Sequence, residues 1–208
     1  MDGFKTVNTE TTVSFTEKKS VFIGTAKIVS SPDEAKEKLA EIKNAYDDAT
    51  HNCWAYITGV KGGVRMFSDD GEPSGTAGAP ICNVLEKRGL TNILVVITRY
   101  FGGIKLGAGG LVRAYSACTA QLIEACGEKE YCIGSRGVFR TSYQNSKILE
   151  RYLTEKGAEI ISREYGDNVG ITASFSGDWE SMYSYLKERI YDDLDGEYIG
   201  VAYIDIGE

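Results

Sequence analysis

Hydrophobic and polar positions alternate with a period of two near the start of the chain. "TTVSFTE" and "SVFIGTAKIV" are rich in β-branched residues and predict strands near 11–16 and 20–29. The pattern then lengthens to a helical period. In "SSPDEAKEKLAEIKNAY" the apolar positions 35, 39, 42 and 46 form one stripe. Ser31 is placed to cap that helix, Pro32 to open it, and Glu34 to complete a capping box. "NCWAYITGV" and "VRMFSD" read as two further strands, with Lys61-Gly62-Gly63 as the hairpin turn. The segment "DDGEPSGTAG" holds three glycines and a proline in ten residues and excludes regular structure. A short helix is expected over 80–88, closed by Gly89. "TNILVVITRY" is a continuous apolar strand that fits a central position covered on both faces. A long helix follows from near Gly109, with apolar residues at 111, 115, 118, 122 and 126 and Gly127 as its C-terminal stop.

From about residue 131 the pattern restarts. Strand "YCIGSRGVFRTSY", helix "QNSKILERYLTEKG", strand "AEIISREYG", strand "VGITASFSG", helix "DWESMYSYLKERIY" and strand "EYIGVAYIDI" give the ferredoxin-like order β-α-β-β-α-β. "GDNVG" supplies the hairpin between the middle strands. The break at "GEKEY" divides the chain into expected domains over 1–128 and 129–208, both of α+β class.

Composition narrows the setting. Of 208 residues, 42% are hydrophobic and 25% charged, as in ordinary globular proteins. No apolar run has the length of a membrane span, and "MDGFKTVNTETT" lacks the apolar core of a secretory signal, so a cytoplasmic protein without membrane association is expected. The five cysteines form no CxxC pair and only one histidine, His51, accompanies them, which argues for buried thiols rather than a zinc site. The net charge of −7 opposes general attraction to nucleic acid. It is unevenly spread: residues 1–128 carry −1 and residues 129–208 carry −6. Arg99, Lys105 and Arg113 are the charged residues of the stretch 97–113, which has no acid.

That basic stretch contains "ITRYFGGIKLGAGG", with five glycines in the nine positions 102–110: Gly102, Gly103, Gly107, Gly109 and Gly110. Glycine loses more conformational entropy on folding than any other residue, so this density implies left-handed backbone or close approach to something. Two glycine-rich connections, 69–80 and 102–110, each lead into a helix start. A helix N-terminus presents unpaired N–H groups and partial positive charge, and so favours anions. Tyr100 and Phe101 add aromatic surfaces for stacking on unpaired bases. The second loop adds Asp69, Asp70, Glu72, Ser74 and Thr76. Its acids fit either a magnesium site or a solvated turn, and no metal is assigned. Neither a Walker A pattern nor a complete GxGxxG is present, so no nucleotide cofactor is expected. His51 and Cys53 lie two apart on one strand, roughly 6–7 Å along it, too far for direct proton transfer. Without a clear nucleophile or acid–base pair, a non-enzymatic role is the expectation.

"DDGEPSGTAGAPI", "VVITRYFGGIKLGAGGLVRAY" and "ATHNCWAY" resemble the Impact/YigZ family over about residues 15–127. Residues 131–208 resemble the C-terminal domain of its bacterial members. The resemblance implies a first domain with the βαβ ribosomal-protein fold of domain IV of elongation factor G, shared with GHMP kinases, and a second like domain V. It also implies a link to translation: eukaryotic members regulate it by competing for a partner of a stress-activated kinase, through proteins with an additional N-terminal domain that these residues lack. Three functions follow as expectations. The first is binding of RNA or the ribosome through the glycine loops. The second is regulation through a protein partner, for which the acidic second half suits a basic surface. The third is a small-molecule or phosphate-transfer enzyme of GHMP-kinase-like fold.

Overall fold

The computed structural model describes residues 3–60 and 62–207. The chain divides into two compact units, Phe4–Glu130 and the chain from Tyr131 onward together with Gly3. The first element is a strand, β1 (Gly3–Val7), which the hydrophobic pattern of the N-terminal segment does not predict.

In the first unit β2 (Thr12–Glu17), β3 (Ser20–Ile28), β4 (His51–Thr58), β5 (Val64–Ser68) and β6 (Ile93–Tyr100) form one sheet in the order β2-β3-β6-β4-β5. Every pairing is antiparallel. Three helices pack on it: α1 (Pro32–Ala45), α2 (Gly78–Lys87) and α3 (Ala108–Cys126). β6 is central, as its unbroken apolar run implies, and Ile93 to Arg99 are all buried. Its side chains alternate between two cores. Ile93, Val95 and Ile97 pack with Phe22, Ile81, Leu85, Tyr115 and Leu122 under α2 and α3. Leu94 and Val96 pack with Ala35, Ile42 and Tyr56 under α1. Helices on both faces explain why a strand in an antiparallel sheet reads like one from a parallel sheet.

Local chemistry sets the element ends. Ser31 Oγ accepts the Glu34 N–H at 3.2 Å, as the capping pattern requires. The Glu34 carboxylate, however, reaches back to Ser30, whose N–H and hydroxyl both donate to it at 2.7 Å. Those bonds hold its carboxyl down to about 2. β2 and β3 join through the two-residue turn Lys18-Lys19, both at positive φ (46° and 65°), in the left-handed geometry of tight hairpins. α2 begins two residues before Pro80, and α3 begins at Ala108. Gly127, at φ +67°, closes α3 as expected. Lys61, in the expected turn between β4 and β5, lies outside the described residues, as do Met1 and Asp2.

"GEKEY" is not irregular chain. β7 (Glu128–Thr141) starts directly after Gly127, and the division between units falls within it. α4 (Tyr143–Glu155), β8 (Glu159–Tyr165), β9 (Val169–Ser176), α5 (Trp179–Ile190) and β10 (Asp195–Asp205) complete the β-α-β-β-α-β order. Among these strands the sheet order is β10-β7-β9-β8 with all three pairings antiparallel, and β1 also pairs with β7. Its core joins Phe139, Ile171 and Phe175 to Leu149, Leu153 and Leu186 of the helices. Trp179 stacks on Phe139 with centroids 4.9 Å apart, and Gly137 leaves it room: a Cβ there would lie 2.0 Å from the indole. No helix among the described residues is long and apolar enough to cross a membrane.

Each unit has its own core. A fragment of residues 129–208 should therefore give a single cooperative thermal transition with a near-ultraviolet circular dichroism signal from Trp179. A broad, featureless transition would show that these residues do not suffice.

Candidate functional site

The first glycine-rich loop meets the end of β6 at a buried ion pair. Glu72 is 8% exposed and Arg99 is 5% exposed. Glu72 Oε1 accepts from Arg99 Nη1 at 2.6 Å and from the Tyr115 hydroxyl at 2.8 Å. Arg99 Nη2 donates to Ser20 Oγ at 3.2 Å. The guanidinium carbon lies 5.4 Å from the ring centroids of both Phe22 and Phe101. These contacts hold the guanidinium by charge and by the two ring faces together. Arg99 Nε is buried with no hydrogen-bond partner among the described residues.

Strand register brings His51 to the same place. His51 pairs with Arg99 across the β4–β6 ladder, and Cys53 with Ile97, so all four lie on the α2/α3 face. His51 Nδ1 is 2.9 Å from the Asp70 carbonyl oxygen. A carbonyl only accepts, so Nδ1 carries a proton, and Nε2 is an acceptor in the neutral ring and a second donor in the protonated one. That nitrogen is 3.9 Å from Glu72 Oε2. Cys53 takes no part in such chemistry. Its thiol contacts the Asp69 carbonyl and the Tyr115 hydroxyl at 2.9 and 3.3 Å, and burial pushes it up to about 12. Burial likewise raises Tyr115, keeping its phenol protonated.

The other acids of the loop are structural. Asp69 accepts N–H bonds from Gly75, Ala77 and Gly78 at 2.8–2.9 Å. It thereby caps α2, whose N-cap residue Ala77 has no side chain for the purpose. Burial pushes its carboxyl up, but the three N–H bonds prevail and hold it below its usual value. The Asp70 carboxylate binds Lys43 Nζ and the Asn52 N–H. No group of residues able to hold a metal ion occurs among the described residues. The Thr76 hydroxyl donates to the Pro73 carbonyl at 2.6 Å, and Ser74 is exposed.

A cleft of about 390 Å³ opens above the ion pair, lined by His51, Glu72, Arg99, Phe101, Lys105 and the first residues of α3, among others. Gly107 (φ +72°) stands at the N-cap of α3, which has no side-chain cap and no acid in its first turn. The glycines divide by role. A Cβ on Gly102 would lie 2.0 Å from the Lys19 backbone, so this glycine exists to pass the β2–β3 turn. Gly103 and Gly107 supply positive φ. Gly109 and Gly110 lie in the first turn of α3. Of the residues singled out in sequence, Arg99, Phe101, Lys105, Gly107 and Glu72 share the cleft. Tyr100 does not: its hydroxyl donates to Asp48 at 2.6 Å, and strand alternation turns it away from Arg99. Arg113 and Gly110 line a separate cleft of about 260 Å³ with Phe15, Glu17 and Lys18. Tyr115, Phe22 and Ser20 went unrecognised in sequence because they read as core or strand positions. The hydroxyl at the tip of Tyr115, buried in an apolar stripe, was the available signal.

Residues 18–123 match the family model of the Impact N-terminal domain. The chain is 49% identical over 153 residues to the IMPACT family member YvyE of Bacillus subtilis, covering 73% of this chain and 70% of that protein. It is 31% identical over 195 residues to an IMPACT family member of Haemophilus influenzae, covering 92% of each. A crystal structure described as that of a hypothetical protein superposes with a TM-score of 0.66 at 28% identity, covering 96% of this chain and 98% of that one.

Gly102→Ala should lower stability by about 2–3 kcal/mol or more, because backbone rather than side chain must move. Gly109→Ala, whose Cβ meets only Arg113 Nη1 at 3.6 Å, should be neutral or raise the melting temperature. Asp69→Ala should cost about 1–2 kcal/mol at pH 7. The folded-state pKa of Asp69 is depressed, so its contribution is present above the unfolded value and disappears as pH falls through the folded one. Denaturant titrations should show the two proteins converging below about pH 4.

Proposed function

The chain belongs to the Impact family, and from that premise we propose that it is a non-enzymatic, cytoplasmic regulatory protein linked to translation that binds single-stranded RNA through the cleft at the start of α3. The link to translation rests on the family resemblance. The binding reading is carried by one observation: the uncapped N-terminus of α3, Lys105 and Arg99 converge on the same cleft, beside the 46%-exposed ring of Phe101. N–H groups and cations suit a phosphate, and the exposed ring suits an unstacked base. A duplex is too wide for a space of about 390 Å³, whereas a single nucleotide is of that scale. The overall charge of −7 confines the attraction to this locality and limits the number of phosphates engaged.

Fluorescence anisotropy with a labelled single-stranded oligoribonucleotide tests the reading. Affinity should fall with rising salt, with a slope of about −0.7 per phosphate neutralised. Lys105→Glu, at an exposed position, should weaken binding several-fold, flatten that slope by about one contact, and leave the melting temperature unchanged. Absence of binding at low salt, or binding indifferent to salt and to Lys105→Glu, would overturn the proposal.

A further inference from the structure

Lys105 and the start of α3 account for a phosphate in the cleft, but not for its remaining polar groups. Glu72 is buried and lines the cleft, yet only Oε1 is hydrogen-bonded, to Arg99 and Tyr115. Oε2 has no hydrogen-bond donor among the described residues. The group facing it at 3.9 Å, His51 Nε2, is beyond direct hydrogen-bond reach. With Nδ1 donating to the Asp70 carbonyl, Nε2 is an acceptor in the neutral ring. In that neutral form two acceptors face each other across a gap in the cleft. A phosphate cannot complete them, being an acceptor and negative. They need donors without charge, and two of them side by side.

We propose that Glu72 Oε2 and His51 Nε2 receive the two vicinal hydroxyls of a ribose, so that the cleft takes a ribonucleotide with a free 2′,3′-diol. The proposal rests on the nucleotide-binding reading above and deepens it: phosphate toward α3 and Lys105, ribose hydroxyls toward Glu72 and His51. A nucleotide at the end of an RNA strand and a free ribonucleotide carry the same diol. The anchoring atoms on the far side of each group, Arg99 and Tyr115 on Glu72 and the Asp70 carbonyl on His51, fix the acceptors before any ligand arrives. Little ordering then accompanies binding.

The test uses the full chain and anisotropy or calorimetry with three probes: an oligoribonucleotide with an intact 3′ end, the same strand after periodate oxidation of its diol, and adenosine 5′-monophosphate beside its 2′-deoxy form. Oxidation or 2′-deoxygenation should weaken binding about ten-fold or more, since a buried acceptor is left unpaired. His51→Ala should erase that difference while the melting temperature holds. Glu72→Gln should do the same if it folds, but His51→Ala decides alone. If the monophosphate binds as tightly as the strand, with the same dependence on diol and His51, the diol assignment stands and the ligand is a free nucleotide. If intact and oxidised strands bind equally while Lys105→Glu still weakens both, RNA binding stands and the diol assignment falls. If no probe binds, both fall. A preference for the diol that survives His51→Ala also overturns the assignment.

Discussion

The ion pair between Arg99 and Glu72 is the constraint on which the functional end of the first unit depends. Arg99 ends the central strand of the sheet, and Glu72 sits in a loop with no regular structure of its own. Removing one partner of a buried pair leaves an uncompensated charge, typically a loss of about 3–5 kcal/mol. The pair also gathers other elements. Ser20 brings the start of β3, Tyr115 brings α3, and Phe22 and Phe101 close over the guanidinium from two sides. The loop after β5 is held in place by the same group that forms the floor of the cleft.

The acids of this one short loop are used in different ways. Asp69 and Asp70 face inward to backbone N–H groups and Lys43, and spend their charge on shaping the loop. Glu72 is left with one oxygen engaged and one turned to the cleft. The glycines on the opposite wall are divided in the same way. Gly102 is there for clearance, whereas Gly107 supplies the positive φ from which α3 starts beside the cleft.

Much of the fold was legible because it follows from period and punctuation. The stripe at 35, 39, 42 and 46, the helix stop at Gly127 and the β-α-β-β-α-β order are local signals, and the structure repeats them. β1 is short, and nothing in its own five residues, GFKTV, compels a strand. "GEKEY" looked like a connection because its charges break the apolar pattern, yet β7 runs through it. The site was legible in its parts rather than in its assembly. Arg99, Lys105 and Phe101 stand out in sequence, but Tyr100 beside them is sent to the other face by simple alternation. His51 was weighed against Cys53, its neighbour along the strand. Its real counterpart, Glu72, comes from a different loop, 21 positions away in the chain, and only the β4–β6 register and the fold of that loop bring them together.

The contact between Gly102 and the Lys18-Lys19 turn has a consequence for how this unit tolerates change in length. Surface hairpins ordinarily accept inserted residues, since lengthening a loop adds little entropy cost. Here the turn between β2 and β3 is a packing surface: the Lys19 backbone fills the space a methyl group on Gly102 would take. An insertion there would displace the chain directly after Arg99 and reach the mouth of the cleft through it. The fit of two backbones, rather than the buried side chains of the core, sets the length of this turn.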